Sequence, residues 1–87
     1  MKLVLVEWVD SSSRHCWTRL NERKGSELLR CRSVGWLVEE TKEVLVLAPH
    51  MSGEGQGVHV MGTGDMAIPR VAVRRVMVLK SGPASKR

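Results

Sequence analysis

The stretch LLRCRSVGWLVEETKEVLVLAP, residues 28–49, decides the fold class of this chain. Its valine-rich halves have the composition of two strands, and the charged run at 39–43 is typical of a hairpin connection between them. Pro49 ends the second strand because proline has no N–H to donate to a ladder. Gly35 interrupts the first strand, and a glycine inside a strand pattern often marks a bulge or a sharp bend. An alternative interpretation caps a short helix with Ser26 over residues 27–32.

The flanking sequence continues the strand pattern in both directions. Residues 2–9 (KLVLVEWV) alternate as a strand, and the DSSS that follows favours a turn. Beyond Pro49, five glycines within residues 53–64 indicate a flexible loop that carries or flanks a short strand. MAIP at 66–69 has the pattern of another short strand that stops at Pro69, and residues 70–73 have the composition of a tight turn. Valine outnumbers leucine, and the chain has no Phe or Tyr, so the core is aliphatic.

These elements predict one all-β domain over residues 1–80, followed by a disordered polar tail at 81–87. A meander of this size usually closes into a small barrel, because closure removes exposed strand edges. We therefore expect a small five-stranded meander that closes into a barrel. The predicted strands are residues 2–9, 28–39, 43–49, 58–68 and 74–79.

The net charge of +5 is unevenly distributed along the 87 residues. Two basic segments, residues 14–32 and 66–87, flank an acidic segment at 33–65. If the basic segments lie together in space, they form a positive face that attracts phosphates or an acidic partner. The alternative is charge scattered over the surface for solvation.

The sequence offers no convincing catalytic or metal-binding arrangement. Asp10, three serines and His15 are the residue types of a hydrolase catalytic triad. Side chains this close in a turn, however, do not usually converge with triad geometry. His50 and His59 lie nine residues apart and no Cys-x-x-Cys pair is present, so we expect no metal site. The glycine-rich segment lacks the strand and helix that flank a phosphate-binding loop. We expect a non-enzymatic protein without a cofactor.

The candidate binding residues lie where predicted strands end, because loops at one end of a small barrel can converge. Trp17 offers an indole ring on which a base could stack, or alternatively it plugs an open barrel end. Arg70 offers a planar guanidinium suited to phosphate. The candidate ligand-binding residues are Asp10, Ser11, Arg14, His15, Trp17, His50, Met51 and Arg70.

Two resemblances extend this interpretation. The order of bent strand, acidic hairpin, strand and loop, followed by I-P-x-x-x-V-x-x-V-x-x-L, resembles the second half of Sm-like and Src-homology-3-like barrels over residues 31–79. It implies that a tight helical turn joins the last two strands.

The second resemblance is to small phage and prophage proteins of unassigned function, and it implies a phage-encoded accessory protein without supplying an activity. Its motifs are V-x-W-x-D-S at 6–11, Trp17, C-x-S-V-G-x-L-V-E-E at 31–40, V-L-A at 46–48 and I-P-R at 68–70.

These observations favour a phage-type accessory protein that acts by binding. It would either sequester a phosphate-bearing, nucleotide-like ligand or block a host defence protein. One alternative is an Sm-like module for single-stranded nucleic acid, which the absence of Phe and Tyr disfavours because such modules stack bases on several aromatic rings. The other alternative is a structural or assembly component.

We expect a cytoplasmic protein of a bacterial host, with no membrane partner and with Cys16 and Cys31 reduced. No secretory signal pattern is visible near Met1, and no apolar run approaches the ~20 residues that cross a bilayer. A small domain without large core aromatics leaves apolar surface for a partner, which favours a homo-oligomer. The candidate edge residues are Val44, Val46, Val76 and Val78.

Overall fold

The computed structural model describes residues 1–12, 17–22 and 28–80, which form an all-β fold of antiparallel strands. Short 3₁₀ turns occur at Leu20–Glu22 and Arg70–Ala72. The strands are β1 (Leu3–Asp10), β2 (Leu29–Glu40), β3 (Val44–Ala48), β4 (His50–Ser52), β5 (Met61–Thr63), β6 (Met66–Pro69) and β7 (Val73–Val78).

The strands form two sheets. Five of them make the main sheet in the order β6-β3-β2-β1-β7, and β4 and β5 form a separate two-stranded ladder. Every pairing is antiparallel. The Arg70–Ala72 turn joins β6 to β7, as the resemblance to small barrels implies. Among the described residues, no helix is long and apolar enough to cross a membrane.

The predicted strands at 2–9, 28–39, 43–49 and 74–79 are confirmed within one residue at each end. Residues 29–32 are extended, so the alternative helix is wrong there. A single strand over 58–68 is wrong, whereas the short strand predicted at 66–69 is confirmed. The single strand is replaced by β5 and β6, because Gly64 turns the chain between them with a φ of 73°. The short strand β4 was not predicted, and the tail at 81–87 lies outside the described residues.

Closure of the barrel stays a prediction. β6 and β7 are the two end strands of the main sheet, and the described residues show no pairing between them. Of the predicted edge residues, Val76 and Val78 do lie on an end strand. Val44 and Val46 do not, because β3 is paired on one side with β2 and on the other with β6.

The core lies on one face of the main sheet. Side chains alternate along β1, so Val4 and Val6 turn inwards and are 1% and 0% exposed, whereas Leu3 and Leu5 turn to the outer face. Trp8, Leu37 and Val73 are partly buried and pack against a cluster of fully buried residues. The members of that cluster are Val4, Val6, Leu45, Leu47 and Ile68.

Gly35 allows two strands to pack closely and does not mark a bulge. A Cβ at this position would lie 3.0 Å from the carbonyl oxygen of Ala48 and 3.1 Å from the Cβ of Leu47, so β3 approaches β2 where a side chain is missing. The irregularity in the β2–β3 register occurs further along, between Leu37 and Glu39. Trp36 lies half-buried on the outer face opposite Leu3, because Gly35 and Leu37 take the inward positions.

Replacement of Ile68 by alanine tests the assignment of the core. Ile68 is 0% exposed, so Ile68→Ala should lower the free energy of unfolding by about 2–5 kcal/mol through lost burial and a cavity. Val71→Ala is the matched control: Val71 is 87% exposed, so its loss should change stability by less than about 0.5 kcal/mol. Urea unfolding measures both, and equal effects would contradict this core.

Candidate functional site

An open cleft of about 790 Å³ lies where β1, the beginning of β2 and the beginning of β7 meet. Its lining combines arginines with apolar and aromatic side chains. The lining residues are Glu7, Trp8, Val9, Leu28, Arg30, Cys31, Arg32 and Arg74.

The register of β1 with β2 explains how the arginines of β2 reach this cleft. Glu7 pairs with Arg32, and Val9 pairs with Arg30. Residues that pair directly in antiparallel strands share a face, so these four side chains lie on the outer face of the sheet. Trp8 pairs with Cys31, and both belong to the opposite face. The cleft is therefore lined by side chains from both faces of the β1–β2 pair.

Arg74 reaches the cleft because of a β-bulge. Glu7 pairs with Arg75 and Trp8 pairs with Val73, which leaves Arg74 as an extra residue without a partner on β1. A bulge of this kind redirects a side chain that regular alternation would place elsewhere. The guanidinium of Arg74 donates to the carbonyl oxygens of Val71 at 3.0 Å and Val73 at 3.5 Å, which hold it at the start of β7.

The cleft is positively charged. Among the described residues, three arginines line it and Glu7 is the one lining carboxylate. In the part of the chain that the structure describes, no carboxylate lies within 4.0 Å of the guanidinium of Arg30, Arg32 or Arg74. These guanidinium groups therefore keep donors available for an anion.

Trp8 connects the cleft to the core. Its ring packs against the buried cluster, and its indole Nε1–H donates to the Ser33 hydroxyl at 3.0 Å. Buried tryptophans usually pair their N–H in this way, and the hydrogen bond holds the ring in one orientation. The cleft thus has an aromatic ring of fixed orientation beside its cationic side chains.

Two of the residues predicted from the sequence, Asp10 and Ser11, follow the cleft residue Val9 at the end of β1. Asp10 ends β1 two residues after Trp8, and its Oδ1 accepts a hydrogen bond of 2.8 Å from the Ser11 N–H, as expected for a turn. Trp17 is fully exposed, so it plugs no barrel end. Arg14 and His15 lie outside the described residues.

The remaining predicted residues lie elsewhere. His50 and Met51 line a separate shallow cleft of about 180 Å³ between β4 and β5. β4 follows Ala48, which is level with Trp36 and Leu3, so these residues are near the start of β1, whereas Asp10 is at its end. Seven residues of strand separate the two positions by ~23 Å.

Arg70 has an ion pair of its own. Its guanidinium lies 3.2 Å from the Glu40 carboxylate, and its backbone N–H donates to the Glu43 carbonyl at 2.8 Å. The expected convergence of strand ends therefore does not occur for His50 and Met51, and Arg70 is already paired. Whether any of the eight predicted residues binds a ligand stays a prediction.

The glycine-rich segment and the histidines form no recognisable site. Residues 53–60 connect β4 to β5, and Gly53 has a φ of 90° at a point where a Cβ would meet the His59 carbonyl oxygen at 2.6 Å. The segment is therefore a hairpin connection. Within the described residues, no group of three His, Cys, Asp or Glu side chains could hold a metal ion.

Part of the cleft could be predicted from the sequence. The alternation L-R-C-R-S at 29–33 places Arg30 and Arg32 on one face of a strand, within a segment already recognised as basic. Arg74 could not be found in this way, because strict alternation puts it on the face opposite Arg75 and takes no account of a bulge.

Comparisons with protein-family models, with curated proteins and with solved structures found no match to this chain.

The hydrogen bond from Trp8 to Ser33 can be tested directly. Ser33→Ala removes the acceptor of a partly buried indole N–H, so the free energy of unfolding should fall by about 1 kcal/mol. Ser52→Ala, at an exposed position on β4, should have no measurable effect. Urea unfolding followed by tryptophan fluorescence compares the two, and an unchanged midpoint for Ser33→Ala would contradict the role of this bond.

Proposed function

We propose that this protein acts by binding, without catalysis, and that it holds a phosphate-bearing, nucleotide-like ligand in the cleft between β1, β2 and β7. The observation that carries the proposal is the presence, among the residues that the structure describes, of three arginines, one tryptophan and one carboxylate in a single cleft. The volume of about 790 Å³ lies in the range of small-molecule sites.

The chemistry of the lining residues matches such a ligand. A guanidinium is planar and permanently charged, and it can donate two parallel hydrogen bonds to a phosphate. Arg30 and Arg32 are two residues apart on one strand face, which spaces their Cα atoms by ~7 Å and suits neighbouring phosphate oxygens. Trp8, Leu28 and Val9 supply the apolar surface that a base needs.

The biological setting that we propose rests on the resemblance to phage and prophage proteins. Such an accessory protein would keep a nucleotide-like ligand away from a host defence protein by sequestering it. The strand order β6-β3-β2-β1-β7 and the 3₁₀ turn before β7 support an Sm-like or Src-homology-3-like architecture for the module. We propose closure of its barrel through the Arg70–Ala72 turn that joins β6 to β7, with the Val76–Val78 end of β7 left as an open edge.

Substitution of Arg32 tests the proposed site. Arg32→Ala removes one charge-assisted contact and should weaken binding of ATP or pyrophosphate about 10-fold or more, measured by isothermal titration calorimetry. Arg32→Lys keeps the charge but loses the planar pair of donors, so we expect an intermediate loss. Lys42→Ala removes the same charge from the exposed β2–β3 connection and is the matched control.

Three results would contradict the proposal. Equal binding by Arg32→Ala and Lys42→Ala would place the ligand elsewhere. Absence of binding of both anions by the wild-type chain would exclude these ligands. Tight binding of an oligothymidylate together with no binding of ATP would favour the single-stranded nucleic-acid alternative instead, and its affinity should then fall steeply with salt.

A further inference from the structure

The buried core continues to an uncovered edge at β7. Val6 pairs with Val76 and Val4 pairs with Val78, so all four side chains lie on the core face of the sheet. Val4 and Val6 are 1% and 0% exposed, whereas Val76 and Val78 are 41% and 55% exposed. Two rows of core side chains thus end at an open strand edge.

The same two valines carry the unpaired backbone groups of that edge. The Leu79 N–H donates to the Leu3 carbonyl at 2.8 Å, so odd-numbered residues at this end of β7 direct their N–H and C=O groups towards β1. Backbone groups alternate along a strand, and those of Val76 and Val78 therefore point away from β1. Within the described residues, no strand lies on that side.

The other edge of the sheet is protected. β6 has only four residues and ends at Pro69, which has no N–H to offer to a neighbouring strand. The segment Val76–Val78 has no proline, and it has no charge among its side chains. Strand addition is thus favoured at β7.

We propose that a second copy of this chain covers the edge, through antiparallel pairing of β7 with β7 about a two-fold axis at Met77. In this register Val76 of each copy lies opposite Val78 of the other copy. Each of these two pairs exchanges two backbone hydrogen bonds. The apolar rows then run from one core into the other, and the two main sheets become one sheet of ten strands.

Apolar matching of Val76 with Val78 selects this register over its neighbours. A two-fold axis at Arg75 would set two Arg75 side chains against each other, and an axis at Val76 would set Arg74 opposite Val78. The axis at Met77 places Arg75 opposite Leu79, beside Glu7 of its own chain. The one unfavourable pair is Arg74 with Lys80 at each end of the ladder.

A cysteine at the two-fold axis tests the register. Met77 faces its own copy in a pair without direct hydrogen bonds, with Cα atoms ~4.5 Å apart, which a disulfide can span. In a chain with both native cysteines replaced by serine, Met77→Cys should form a covalent dimer under mild oxidation. Arg75→Cys is the control, because its two copies would lie ~14 Å apart.

Gel electrophoresis without reductant and mass spectrometry measure the product. A covalent dimer for Met77→Cys alone supports the proposal. Cross-linking of Arg75→Cys to the same extent, or of neither variant, would overturn it.

Lys80→Glu tests the same interface without a covalent cross-link. It turns both Arg74–Lys80 pairs into attractive ones, so the dissociation constant of the dimer should fall several-fold at low salt. This increase in affinity should disappear at high salt. Val78→Lys, which puts a charge at the open edge, should instead leave a monomer. Analytical ultracentrifugation measures both.

A wild-type chain that stays monomeric at tens of micromolar would overturn the proposal, as would a closed ring of more than two copies. These outcomes leave the nucleotide proposal untouched, because Arg75, Met77, Val78 and Lys80 do not line the cleft and the binding test keeps Cys31, which does.

Discussion

The structure depends on β1 being paired on both sides. Val4 and Val6 are buried because β2 and β7 flank them and because the β3–β6 pair covers their face of the sheet. The same alternation sends Glu7 and Val9 to the outer face, where their partners on β2 are Arg32 and Arg30. A slip of one residue would turn the core valines outwards and Glu7 and Val9 inwards. One register thus sets both the core and the candidate site.

The irregular positions add what regular pairing cannot supply. The extra residue at Arg74 lets β7 follow β1 while it delivers a third guanidinium to the cleft. Gly35 lets β3 approach β2 closely enough for Leu47 to be buried. Both are local departures from alternation that the packing of neighbouring strands requires. The site and the core are therefore linked through the backbone of three adjacent strands.

Two surfaces of the same sheet have different physical character. The cleft at the end of β1 is cationic and open, and it suits a small anion with an apolar part. The edge at Val76 and Val78 is apolar and has unpaired backbone groups, and it suits another strand. β7 contributes to both, with Arg74 at its start and the valines towards its end. Binding at one surface does not require the other.

The sequence by itself determined the all-β class, the positions of four strands and the stop at Pro49, because alternation, valine content and the chemistry of proline are local properties. It also indicated that residues 14–32 and 66–87 are basic. Only the tertiary structure decided which basic residues meet. Strand pairing set Arg32 and Arg30 beside Glu7 and Val9 of β1, and it separated His50 from Asp10, although His50 and Asp10 both lie near predicted strand ends. Pairing depends on contacts between distant residues, and no local pattern encodes which strand lies beside which.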